Sequence, residues 1–369
     1  MNRKNVLFVV NGLAIGGGEL KVLDLVRGLL KWYSHEFNPV VCSVGQGGPL
    51  FERFTDIGIE PAVYEKRCAF DVSLIRKTAR LMKERETDIV QTTLFYADVI
   101  GAAAARLAGI GPVISWEAVT QLYGKKHLLA YKIASRLYTK SVAVSHAIEH
   151  KVQECYGVPP EKTMTIHYGV ELERFSNQRT PALKHELGLP ADAVVYGTVA
   201  RFTDQKGHVY LVEAAREIVK QKPDSHFVLA GDGPMRQMLE KKIHHAGLDD
   251  HFHLLGFRTD VEEVLKGFDV FVLPSLYEGL PNVVLEAMAG GLPVIATAVD
   301  GTPEAVVHNS TGLLIPPRDP GAIADAAKVL GRNQSLRREM GDRGRKRVEQ
   351  EFSWRGEVEQ FVKLYRSLV

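Results

Sequence analysis

Residues 277–297 read YEGLPNVVLEAMAGGLPVIAT, and the order of residue types in that run lays out a loop, a short helix and a buried strand. Pro281 has the fixed φ that suits the first turn of a helix, and Gly290 and Gly291 suit its end, so the spacing predicts a helix over 282–289. The apolar run beyond it is a short strand, and "DVFVLPS" just before it is another. Two such strands joined through a helix form a right-handed βαβ unit with parallel strands. The run also carries two carboxylates, Glu278 in the loop and Glu286 on the helix.

The same alternation extends in both directions. Ahead of this run stand "VVYGTVARF", "HFVLAGDG" and "HFHLLGF", and after it "GLLIP", each followed by a helical segment. A polar, irregular stretch, "ELERFSNQRTPALKHELGLPADA", separates this set from an earlier one: "NVLFVV", "PVVCSV", "DIVQTT", "PVISWE", "SVAVS" and "TMTIHYGV". Near-continuous apolar strands are those of parallel sheets covered on both faces. The expected fold class is therefore α/β, with two Rossmann-like doubly wound domains in tandem and a cleft at the carboxyl ends of their strands. The boundaries read as 1–170 for the first domain and 171–354 for the second. The closing region reads as two helices broken near Phe352 to Trp354.

At 369 residues, 45% hydrophobic and 24% charged, the chain is an ordinary globular composition with enough apolar surface for two cores. Its apolar runs are far shorter than a bilayer-spanning helix needs, and "MNRKNVLFVVNG" reads as a first strand rather than a leader. Cys42, Cys68 and Cys155 are odd in number and scattered, which suits buried thiols in a reducing cytoplasm. Lys and Arg exceed Asp and Glu by five over residues 1–170 and fall three short over the remainder. That imbalance points to an anionic partner of the first half, a membrane surface or a phosphate-bearing acceptor, and is too small for nucleic acid.

Chemistry is expected where strands end. Gly16, Gly17 and Gly18 lead from the first strand into a helix, where backbone N–H groups can meet a phosphate or simply form a turn. Their spacing departs from the dinucleotide GxGxxG pattern, which disfavours a nicotinamide dehydrogenase. Arg201 and Lys206 in "ARFTDQKGH" offer a guanidinium fork and an ammonium to a diphosphate, or form a surface pair. "LAGDGP" with Gly231 and "LLGFR" with Phe257 and Arg258 are further strand-to-loop turns. Eight residues of ideal helix span about 12 Å, which, with a bend at Gly279 and Pro281 between the two glutamates, disfavours the carboxylate pairing of a glycosidase. Glu278 and Glu286 are better read as separate acceptors for sugar and ribose hydroxyls.

Taken in order, these blocks resemble the family 4 (group 1) retaining glycosyltransferases of GT-B architecture, with "YEGLPNVVLEAMAGGLPVIATAVDGTPEAV" the most specific match and nearly the whole chain covered. The resemblance implies that Arg201 and Lys206 neutralise the diphosphate of a nucleotide-sugar donor, UDP favoured and GDP possible, and that Gly17 and Gly18 approach it from the opposite domain. It implies that Glu286 binds the ribose, that Glu278 holds hydroxyls of the transferred sugar, and that Gly279, Leu280, Pro281, Asn282 and Val283 lie near phosphate and sugar. Phe257 and Arg258 fall near the base, with Gly231 also on the donor side. The first domain would bind acceptor, the second (171–354) the donor, and the last helix (355–369) would cross back to the first domain.

The chain departs from the family where a histidine is common: Trp116-Glu117 follows one first-domain strand and Gln91 stands in another. Glu117 is thus a candidate on the acceptor side, or a structural residue. Tyr168 replaces the usual asparagine in "IHYGV". No Asp-x-Asp occurs, and His244, His245, His251 and His253 lack evident companions, so neither a metal nor another cofactor is expected and the leaving diphosphate must be met by fixed cations and helix N–H groups. The implied reaction is retaining transfer of a hexose or N-acetylhexosamine to a glycan or lipid-linked acceptor in surface polysaccharide synthesis. The basic stretch "YGKKHLLAYKIASRLYTK" (123–140) is read either as peripheral contact with an anionic membrane at its cytoplasmic face or as the solvated basic face of a core helix. The rival readings are a nucleotide-sugar sensor without turnover and a nucleotide-sugar epimerase.

Overall fold

A computed structural model describes residues 3–66, 71–118 and 125–369. Cys68 and the start of the basic stretch, with the side chains of Lys125 and Lys126, lie outside the described residues. The chain divides into two compact units: Met1–Tyr168 with Trp354–Val369, and Gly169–Ser353.

The first unit holds strands β1 (Lys4–Val10), β2 (Phe37–Ser43), β3 (Ala62–Val63), β4 (Ile89–Thr93), β5 (Val113–Glu117), β6 (Lys140–Ala143) and β7 (Thr163–Thr165). They form one sheet in the order β3-β2-β1-β4-β5-β6-β7, every pair parallel. The second unit holds β8 (Val194–Val199), β9 (Ser225–Ala230), β10 (Phe252–Gly256), β11 (Val270–Leu273), β12 (Val294–Thr297) and β13 (Gly312–Ile315). Their order is β10-β9-β8-β11-β12-β13, again all parallel. The sequence reading missed only β3, two residues long and half-buried, and overran β7, which stops at Thr165.

Each sheet reverses its winding once, between β1 and β4 in the first unit and between β8 and β11 in the second. At such a switch point adjacent connections leave the sheet toward opposite faces, opening a crevice at the strands' carboxyl ends.

The chain leaves the first unit and rejoins it slightly ahead of the boundaries read from the sequence. Val170 N–H donates to Phe352 O at 2.8 Å and Val170 bridges Ser353, which ties the connecting segment to the second unit. Trp354 belongs to the first: its Nε1 donates to Asp24 O at 2.9 Å and its ring packs 4.6 Å from that of Trp32. The last helix, Trp354–Arg366, adds a buried ion pair, Lys21 Nζ to Glu357 Oε2 at 2.9 Å. Its Tyr365 hydroxyl donates to Gln91 Oε1 at 2.5 Å. Gln91, set where a histidine is common, thus serves the packing of that helix. Of the thiols expected to be buried, Cys42 is buried and Cys155 is exposed.

Candidate functional site

The switch point of the second unit gathers the residues singled out in the sequence. After β8 the chain turns through Arg201 to a short 3-10 turn, Asp204–Lys206, and enters the helix His208–Gln221 at Gly207. Gly207 has φ +64°, and a Cβ there would lie 2.0 Å from Pro274 O, just beyond β11. Only glycine meets both demands. The missing side chain lets the β8 turn touch the β11 loop, and Lys206 is carried beside Glu278.

Lys206 Nζ lies 2.6 Å from Glu278 Oε1, and the same oxygen accepts from Ser275 Oγ at 2.7 Å. Glu278 is 5% exposed, so its charge is held in place by a cation and a hydroxyl together. The loop's backbone is fixed too: Leu276 N–H donates to Gln205 O at 2.7 Å, Gln205 Nε2 to Tyr277 O at 3.0 Å, and Thr297 Oγ1 to Ser275 O at 2.5 Å. Read separately, Lys206 was given to phosphate and Glu278 to sugar; the structure joins them to each other.

The helix Asn282–Ala289 follows at once, with the bounds read from the sequence and no side-chain cap at Pro281. Its buried face is Val284, Leu285, Ala287, Met288 and Ala289. Asn282, Val283 and Glu286 are half-buried, and Asn282 and Glu286, four apart, share one side. Gly279, Leu280 and Pro281 are buried between the loop and this helix. Arg201 is exposed. The crest therefore presents an exposed guanidinium, an anchored ammonium and carboxylate, and the positive end of a helix dipole.

Two residues given to the base side fare differently. Phe257 is 59% exposed and offers a ring face. Arg258 is engaged instead: its Nε and Nη2 donate to Asp260 at 2.8 and 2.7 Å, and Nη1 to Glu186 at 3.0 Å. Those carboxylates hold its pKa above the ordinary value, the Asp260 hydrogen bond foremost, so Arg258 fastens its own loop rather than facing outward as a base contact. Gly231, at φ +151°, would place a Cβ 2.0 Å from Ala200 O, so contact with the end of β8 already explains the glycine.

In the first unit Gly17 and Gly18 open the helix Gly17–Tyr33, after Gly16 in extended conformation, beside the β1/β4 switch. Asn11 Oδ1 accepts from Ala97 N–H at 2.7 Å, capping the helix that follows β4. Glu117 is not on the surface. It is 4% exposed, beside Asp98, which is fully buried, and burial raises both carboxyls' pKa, Asp98 further so because of the Glu117 charge. Thr92 Oγ1 donates to Asp98 Oδ1 at 2.5 Å. Trp116 packs edge-on against Phe361 and Tyr168, so the expectation of an acceptor-facing group at Trp116-Glu117 gives way to a structural one.

Sequence reasoning missed Ser275, Gln205, Asp98 and a companion for His253, whose Nε2 lies 3.3 Å from His226 Nδ1. That histidine pair stands near the amino ends of β9 and β10, at the opposite end of the strands from Lys206. Gln205 and His253 act through partners 72 and 27 positions away, while Ser275 and Asp98 bond to residues three and six positions away through polar side chains that no spacing rule singles out.

Residues 180–347 match the family described as Glycosyl transferases group 1, and residues 15–174 that described as Glycosyltransferase Family 4. The Escherichia coli UDP-Gal:alpha-D-GlcNAc-diphosphoundecaprenol alpha-1,3-galactosyltransferase is 34% identical over 269 residues, 69% of each chain. The Bacillus anthracis N-acetyl-alpha-D-glucosaminyl L-malate synthase is 30% identical over 309 residues, 80% of this chain and 79% of that one. Anabaena HepE, solved in complex with UDP, superposes with a TM-score of 0.86 at 21% identity, covering 99% of this chain and all of that one; that likeness is one of fold.

Proposed function

This chain belongs to the glycosyl transferases of group 1, and on that premise we propose that it is a retaining, metal-independent enzyme working from a nucleoside-diphosphate sugar, UDP favoured and GDP the other base. The sugar is a hexose or N-acetylhexosamine, and the acceptor a glycan or lipid-linked hydroxyl in surface polysaccharide assembly. The observation that carries this reading is the Lys206–Glu278 pair at the β8/β11 switch point. A lysine ammonium has three donors, so Lys206 can hold Glu278 and a phosphate oxygen at once. The sugar hydroxyls bound by Glu278 are thereby placed next to the diphosphate that must depart.

As the bond from the anomeric carbon to the phosphate oxygen breaks, negative charge grows on the diphosphate. Lys206, held by Glu278, and the amino end of the helix Asn282–Ala289 can meet it with little reorganisation, and the exposed Arg201 can turn toward it. The acceptor oxygen bonds to the same face of that carbon, and its proton passes to the departing phosphate oxygen. Glu286 takes the ribose hydroxyls, and the exposed Phe257 ring stacks on the base. The donor named for the Escherichia coli relative and the UDP held by the Anabaena structure support UDP, and the lipid diphosphate in the former's name supports a lipid-linked acceptor.

Peripheral membrane contact, at the cytoplasmic face, has support of its own. In and just after the helix Lys125–Ser135, Leu129 and Ile133 are 62% and 56% exposed and Leu137 is partly so, an apolar stripe at helical spacing beside exposed Lys132 and Arg136. Among the described residues no helix is long and apolar enough to cross a membrane.

The test is thermal stabilisation by a panel of nucleoside diphosphates and their sugars, with Arg201→Ala and Glu286→Ala as controls, followed by the anomeric configuration of the product and transfer with and without a chelator. A shift with one nucleotide, lost in both variants, and a retained configuration unaffected by chelation are expected. An inverted product would end the mechanism, and no shift with any nucleotide would end the donor site.

A further inference from the structure

Asp300 sits in the turn after β12 with φ +43°, in the left-handed region that residues other than glycine seldom enter. Asp and Asn tolerate it best, because their short polar side chains bond locally. Here the bond reaches further: Asp300 Oδ2 accepts from the Glu278 backbone N–H at 2.8 Å, and Glu278 stands 22 positions earlier, in the loop after the neighbouring strand β11. We propose that Asp300 is a positioning residue for sugar transfer, holding the Glu278 backbone so that its carboxylate meets Lys206 and the transferred sugar. The proposal rests on the donor reading given above.

The loop that carries Glu278 is pinned in stages. Gln205 holds Leu276 and Tyr277 by their backbone, Thr297 holds the carbonyl of Ser275, and the Ser275 hydroxyl holds the Glu278 carboxylate. Asp300 adds the grip on the amide of Glu278 itself. A residue kept in a rare conformation persists where its surroundings over-determine it, and such positions gather at ligand clamps. A glycine at 300 would adopt φ +43° freely yet lose the acceptor. Asparagine keeps both the tolerance and a carbonyl oxygen.

This separates position from mere fold. Asp300→Gly is expected to lower kcat for sugar transfer by about tenfold to a hundredfold, as a displacement of ~1 Å at a reacting group does. The dissociation constant for UDP alone is expected to change far less than kcat, by no more than a few-fold, because a ~1 Å shift of the Glu278 carboxylate alters its repulsion of the phosphate only slightly and the diphosphate keeps Arg201 and the helix end. Asp300→Asn is expected to restore kcat. If Asp300→Gly turns over like wild type, or Asp300→Asn is as impaired as the glycine variant, the proposal fails while the donor site stands. A ligand-free measurement guards against failure of the donor reading: Asp300→Gly and Glu278→Gln, combined and followed by thermal unfolding, are expected to be non-additive. Additive shifts would overturn the proposal whether or not any nucleotide binds.

Discussion

Replacing Glu278 by glutamine tests the pairing with Lys206 most directly, because it should push stability and nucleotide affinity in opposite directions. Glu278 Oε1 and Lys206 Nζ are 2.6 Å apart, with side chains 6% and 18% exposed. Leaving Lys206 without its carboxylate costs about 2 kcal/mol, below the roughly 3–5 kcal/mol of a fully buried pair because the ammonium reaches solvent. For a unit of this size that lowers the melting temperature by about 4–8 °C. A phosphate oxygen held on the far side of the same ammonium would lie ~5 Å from the Glu278 carboxylate. At an effective dielectric of about 20 the two anions repel by roughly 3 kcal/mol. Even half of that, relieved by the neutral amide, tightens UDP binding about tenfold, while sugar transfer falls for want of the carboxylate. Differential scanning fluorimetry gives the first quantity and titration calorimetry with UDP the second. A Glu278→Gln protein that melts with wild type and binds UDP no more tightly would show that the pair is a contact without energetic weight.

Three other outcomes follow from the buried groups and the exposed stripe. His208, buried with neither ring nitrogen hydrogen-bonded among the described residues, is held down to about 4 by burial first and the Lys206 charge second. The unfolded chain takes up that proton near pH 6.5, so stability is whole above 6.5 and falls by about 3 kcal/mol as pH drops toward 4; chemical denaturation across pH should show this slope, and His208→Phe should flatten it. Asp98 and Glu117 act with the opposite sign. Their raised pKa values give stability that is complete in acid and lost as pH climbs past the ordinary carboxylate range, so Glu117→Gln should melt higher than wild type at pH 8, and equal melting there would show that the two carboxyls do not compete. Replacing Leu129 and Ile133 by glutamine should weaken co-sedimentation with phosphatidylglycerol vesicles severalfold and leave transfer to a water-soluble acceptor intact; unchanged sedimentation would remove the membrane contact.

The fold was legible because its signals are local. Apolar runs of four to seven residues, separated by helical periods, announce parallel strands whatever lies elsewhere, and Pro281 with Gly290 bounded the helix Asn282–Ala289 as the structure has it. Where the local signal thinned, reading slipped: β3 has two residues, and apolar Ile166 beyond β7 is buried without extending the strand. The motif residues were visible as well, since strand ends in a doubly wound sheet are where ligands bind.

Local signals along the chain therefore suffice for the two doubly wound units and for the crest on which Arg201, Lys206, Glu278 and Glu286 stand. How those groups are committed depends on the folded sheets. Lys206 and Glu278 meet across 72 positions of chain, Arg258 turns to Glu186 and Asp260, and Glu117 goes inward beside Asp98. Periodicity and turn chemistry are properties of neighbours in sequence, which any window of the chain contains. A charge's partner is set by which strands the sheet order brings together, and that order exists only once the strands have paired.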